Sequence, residues 1–147
     1  MALKETLMND LKEAMKEKDI IRKNTVQMIR SSVLQVEKDN KTELDDEGII
    51  DVIAKELKRR RDVLPEYEKS GRDDLIADIN REIEILLAYL PKQLSKEELE
   101  EIVTRAMDEI GATSMKDMGR IMGVVMPQTK GRADGKMINE IVKAHLS

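Results

Sequence analysis

The chain of 147 residues has no cysteine, no phenylalanine and no tryptophan, and only one histidine, two tyrosines and three prolines. Without cysteine there are no disulfides, no thiol nucleophile and no cysteine-ligated zinc, a usage compatible with a reducing compartment. With aromatics nearly absent there is nothing on which splayed bases could stack, so any contact with RNA would be to backbone and shape. Three prolines and seven glycines are too few for a turn-rich all-β chain. No stretch approaches 18 apolar residues, and charges interrupt every apolar run near the N-terminus, so neither a transmembrane helix nor a signal-peptide layout is expected. These absences predict a soluble, cytoplasmic protein with no membrane partner.

Several chemistries are also unsupported. There is no G-x-S-x-G elbow and no phosphate-binding loop of the Walker type. The single histidine, His145, reads as a core-edge or C-terminal-turn residue, where a cation suits the helix dipole. Ser31 and Ser32 lie mid-helix and read as surface or small packing positions. Asp45-Asp46-Glu47 and Asp73-Asp74 stand at helix starts, where carboxylates cap the helix and favour its dipole. The expectation is therefore no catalytic residue, no metal site and no cofactor.

What is present is charge and helical periodicity. Charged residues make up 38% of the chain and apolar ones 40%, with a net charge of −4 and ten methionines. Apolar positions recur near every 3.6 residues throughout, which predicts an all-α fold. Leu3, Leu7 and Leu11 mark a first helix, and Asp19 caps a second that buries Val26, Ile29 and Val33. Asp45 or Asp46 caps a third, in which Pro65 introduces a kink and Ser70-Gly71 the end. A fourth runs from about Arg72 to Leu90, where Pro91 stops it. Long helices with short links predict an antiparallel N-terminal domain of about four helices, residues 1–91. Ser95-Lys-Glu-Glu98 is a capping box that opens a second domain of three short helices, residues 92–147. Residues 91–95 and 128–133 are the expected points of first proteolysis. The basic run Lys58-Arg59-Arg60-Arg61 spreads around a full helical turn and reads as a solvated, ion-paired face, with an RNA-backbone or partner contact as the alternative.

The most unusual stretch is Gly119 to Asp134, G-R-I-M-G-V-V-M-P-Q-T-K-G-R-A-D. Met115 to Met126 reads as a helix with Met118, Met122 and Val125 inward. Lys116, Gly119, Arg120 and Gly123 fall on a stripe roughly opposite. A helical glycine costs ~1 kcal/mol relative to alanine, so the pair implies either a closely packed second helix or a ligand against bare backbone. Pro127 is expected to end this helix at Met126. A basic loop with Lys130, Gly131 and Arg132 follows, Gly131 suiting a positive φ, and Asp134 caps the last helix. Lys136 and Lys143, seven apart on that helix, extend the same side. Residues 115–147 hold six cations against three anions, a locally basic end on an acidic chain.

Gly123-Val-Val-Met126 followed by Thr129-Lys130-Gly131-Arg132-Ala133-Asp134 resembles the C-terminal tail of the B subunit of glutamyl/aspartyl-tRNA amidotransferase. Over nearly the whole length the chain resembles the free-standing YqeY-like proteins that share this tail, with Tyr67-Glu-Lys-Ser-Gly71-Arg72-Asp-Asp74-Leu75 and Tyr89-Leu-Pro91 also matching. Where the amidotransferase tail usually has proline after the aspartate, this chain has Gly135. The resemblance implies a non-catalytic accessory that binds tRNA, or docks on a tRNA-processing enzyme; together with the placement of cations around the glycines it points to Lys116, Gly119, Arg120, Gly123, Lys130, Gly131, Arg132, Lys136 and Lys143. DNA is not an expected partner. The rival expectation is a helical protein–protein adaptor with no RNA role, built on a methionine groove between the last two helices. A carbon–nitrogen ligase with glutamine as amido-N-donor comes third, on resemblance alone.

Overall fold

The computed structural model describes residues 2–146, and among them there are seven α-helices and no strand. The chain divides between Leu90 and Pro91 into two compact units, each with its own hydrophobic cluster.

The first unit contains α1 Leu3–Glu17, α2 Ile20–Asn40, α3 Asp46–Ser70 and α4 Asp73–Tyr89. Local chemistry marks the ends. The Asp19 carboxylate accepts from the Arg22 N–H, and Asp45 from the Gly48 N–H at 2.8 Å, each satisfying an orphan donor at a helix start. Gly71, at φ 70°, closes α3 in the left-handed conformation. Pro65 does not end α3, which continues past it to Ser70. Lys4 pairs with Glu37 at 2.5 Å and Arg22 with Glu17 at 3.5 Å, so α1 and α2 lie antiparallel, the start of each beside the end of the other. Leu7, Val26, Ile29, Ile49, Ile53 and Leu86 are fully buried between the helices. Each contributes roughly 1.5–3 kcal/mol by leaving water.

Two polar clusters tie this core together. Tyr89 donates its hydroxyl to the Asp10 carboxylate, and Arg22 reaches Asp10 and Glu13, each at 3.6 Å. Burial, then the hydrogen bond to Asp10, raises the Tyr89 phenol well above its ordinary value. The second cluster corrects the reading of the basic run as a solvated face. Arg60 is 8% exposed. Its guanidinium meets the buried Glu56 carboxylate at 3.1 Å and Glu82 at 3.3 Å, and Ser32 donates to the other oxygen of Glu56. The rest of the run does face solvent, with Lys58 on Asp62 at 3.2 Å.

The second unit contains α5 Lys96–Ile110, a 3-10 turn Met115–Asp117, α6 Met118–Thr129 and α7 Gly135–Leu146. The Ser95/Glu98 capping box opens α5, and Gly111 closes it at φ 74°. Leu99, Val103, Ile121, Val125, Ile138 and Val142 form the centre of the core. His145 is exposed in the last turn of α7.

Pro127 does not end α6, which continues to Thr129. The carbonyls near the proline find side-chain donors instead: Gln128 Nε2 donates to the Val124 carbonyl at 3.1 Å, and Thr129 Oγ1 to Val125 at 3.0 Å and Met126 at 3.4 Å. The loop after α6 is correspondingly shorter and is not slack. Gln93 Nε2 donates to the Gly131 carbonyl at 2.8 Å, and the Leu94 N–H donates to the Arg132 carbonyl at 2.9 Å. The two stretches expected to be least protected thus hold each other.

Candidate nucleic-acid interface

The Ser114 side chain and the Asp117 carboxylate form a capping box around the 3-10 turn. The Thr113 N–H, 3.0 Å from Asp117 Oδ2, holds this carboxyl below the usual carboxylate range, with help from the Ser114 N–H and from Arg120. This turn carries Lys116, so Lys116 precedes α6 instead of lying in it.

Helix α6 then buries Ile121, Val125 and Thr129 on one side. At 100° per residue, Gly119, Arg120, Gly123, Met126 and Pro127 point to the opposite side, and all five are exposed. Arg120 approaches the half-buried Asp117 carboxylate at 3.5 Å. A Cβ placed on Gly119 or Gly123 would meet nothing within 4 Å. Among the described residues no helix packs against either glycine, so of the two reasons for a glycine pair, close packing within the chain is not the one realised.

Lys130 is exposed at the end of α6. Gly131 takes φ 72°, in the left-handed region. Arg132 is half-buried, and its Nε donates to the Lys92 carbonyl at 3.5 Å, so it serves the loop as well as any ligand. Asp134 caps α7 through the Lys136 N–H at 3.0 Å. Lys136 and Lys143 are exposed on one stripe of α7, roughly 10 Å apart along its axis. The Met126 methyl comes to 4.0 Å from a Cβ built on Gly135, which brings the exposed side of α6 to the first turn of α7.

Of Met115, Met118, Met122 and Met126, half fill the core. Met118 and Met122 pack on the core, whereas Met115 is 48% and Met126 44% exposed, as is Met137 at 44%. The signal was available: a four-residue spacing drifts 40° per step, so a stripe that starts near the core at Met118 has left it by Met126. Among the described residues no group of three or more acidic or histidine side chains could hold a metal ion, and no helix is long and apolar enough to cross a membrane.

The chain is a two-unit helical protein with one bare helix face, and its sequence places it in a family. The model of the Yqey-like protein family matches residues 4–146, and the chain belongs to that family. Relatives include the altered inheritance of mitochondria protein 41, mitochondrial, of Pyrenophora tritici-repentis, 28% identical over 94% of this chain and 80% of that protein. Its counterpart in Kluyveromyces lactis is 32% identical over 94% of this chain and 72% of that protein. A glutamyl-tRNA(Gln) amidotransferase component of Saccharolobus solfataricus is 29% identical over 84% of this chain, which corresponds to 19% of that protein. The fungal relatives correct the cytoplasmic expectation, since they are named as mitochondrial proteins. That expectation rested on cysteine usage and on a missing signal-peptide layout, neither of which separates one reducing compartment from another.

Proposed function

We propose that the chain is an accessory that binds tRNA, or docks on a tRNA-processing enzyme, through the exposed side of α6 and the loop after it. The observation that carries this reading is the open space over Gly119 and Gly123, on a face that also presents Arg120. Two helical glycines cost helix stability, and no packing among the described residues accounts for them. Bare backbone admits a bulky, smooth ligand such as a sugar–phosphate strand, and Lys116, Arg120, Lys130, Lys136 and, at the margin, Lys143 supply phosphate contacts around it. The relation to a protein named for tRNA(Gln) amidation supports the choice of nucleic acid.

The test is a titration with bulk tRNA at several salt concentrations. With about four phosphate contacts the log–log slope is about −3 to −4, at ~0.7–0.9 per phosphate. Replacing Lys116 and Arg120 together with alanine flattens it by about two units. Arg132 is the poorer choice for this test, because its hydrogen bond to Lys92 confuses folding with binding. Absence of binding at low salt, or an unchanged slope in the double variant, rejects the assignment. A second reading, a protein–protein adaptor, is favoured by the exposure of Met126 and Met137 beside the same face. It expects no tRNA binding at any salt and loss of a protein partner on Met126→Ser.

A further inference from the structure

The first unit carries a feature that the reading above does not use. Between α1 and α2 lies an open groove of about 450 Å³. Leu7 and Val33, 1% and 4% exposed, form its floor. Met8 and Leu34 stand beside it and are 37% and 61% exposed. The Lys4–Glu37 pair also lines it. Two further charges line the groove, Arg30 and Glu5. Among the described residues neither has an ion-pair or hydrogen-bond partner, although Arg30 is half-buried.

We propose that this groove is where two copies of the chain associate about a two-fold axis. The surface is self-complementary. An isologous contact needs each feature and its complement on the same surface, because what one copy offers the other must receive. This surface offers an apolar ridge, Leu34 with Met8, beside an apolar groove that can take it. It also offers one unpaired cation and one unpaired anion. A two-fold sets Arg30 of one copy against Glu5 of the other, twice, and lays each Leu34 in the opposite groove. Partial burial of a guanidinium without a carboxylate is unfavourable, and pairing across the axis relieves it. A small carboxylate would pair with Arg30 but leave Glu5 and most of the apolar ridge uncovered. The proposal concerns the N-terminal unit alone and is independent of the tRNA reading.

Sedimentation velocity of the full chain from about 1 µM to about 1 mM should show a reversible monomer–dimer equilibrium. Arg30→Glu sets two carboxylates together on each side of the axis, and Glu5→Arg sets two cations. Each variant alone should weaken the dimer at least about tenfold. An equimolar mixture of the two variants restores one opposite-charge pair of each polarity and should recover a heterodimer. Leu34→Glu should abolish association, in the mixture as well. These positions touch solvent, and circular dichroism of the variants checks that the helices persist. A wild type that stays monomeric across the range overturns the proposal. So does a dimer indifferent to Arg30→Glu and Leu34→Glu, or a mixture that does no better than its components.

Discussion

Arginine plays opposite parts in the two units. Arg60 in α3 is turned inward, its fork held by Glu56 and Glu82. Arg120 in α6 is turned outward, with one half-buried carboxylate at 3.5 Å and an open helix surface on either side. The first arginine belongs to a cationic run dense enough to suggest a binding patch, and the second stands among glycines. The dense run is partly internal structure, and the sparse face is the available one. What separates them is the carboxylates brought alongside. α2 and α4 bring Ser32 and Glu82 to the Glu56–Arg60 pair, while no described side chain covers the glycines of α6. Cation density along a sequence is thus a poor guide to a binding surface unless the placement of anions is known.

The contrast can be broken most forcefully at Arg60. Arg60→Ala leaves the buried Glu56 with only the exposed Arg59 beside it, at 3.6 Å, and should cost about 3–5 kcal/mol of unfolding free energy, read by urea denaturation. Glu56→Leu combined with Arg60→Met should cost far less, because both charges leave together. A loss below ~1 kcal/mol in the single variant would mean that the Glu56–Arg60 pair is no more structural than an exposed one.

The next effect is at Tyr89. Tyr89→Phe removes the donor to Asp10 and should cost about 1–2 kcal/mol. The phenol is raised in the folded state relative to its ordinary 10.0. Its contribution is therefore full below pH ~10 and lost as pH rises through the folded value, because the unfolded chain gives up the proton first. Denaturation at alkaline pH should show a falling stability in the wild type and a flatter profile in Tyr89→Phe.

A smaller effect, of opposite sign, is expected in α6. Gly119→Ala and Gly123→Ala each meet open space and should leave stability equal or raised by up to ~1 kcal/mol of helix propensity, read by thermal melt. If the face is a ligand site, the same changes weaken tRNA binding. A clear fall in melting temperature would show that something packs there after all. Smallest of all is the stability change on replacing Lys116 and Arg120 with alanine, within about ±0.5 kcal/mol by thermal melt. Its large effect should be confined to the salt dependence of binding, and that separation is what distinguishes the outward arginine from the inward one.

Helices, caps and most inward positions could be read directly from the chain. Asp19, Asp45, Ser95 and Asp134 cap where their types and spacings say they should, and Gly71, Gly111 and Gly131 take positive φ. These features depend on residues within one or two turns, so the local order of residues contains the physics. The all-helical class follows in the same way, since a 3.6-residue period over every apolar segment leaves no strand face to bury. Three things depended on residues far apart. Arg60 became internal because Glu82 lies 22 residues on and Ser32 packs beside Glu56. Loop 130–134 became anchored because residues 92–94 return to it. The glycine face of α6 stayed open because Ile121 and Val125, a turn apart on the other side, took the burial that α5 and α7 had to offer. Periodicity defines which side of a helix is apolar, but only the packed neighbours decide whether the other side is covered, and by what.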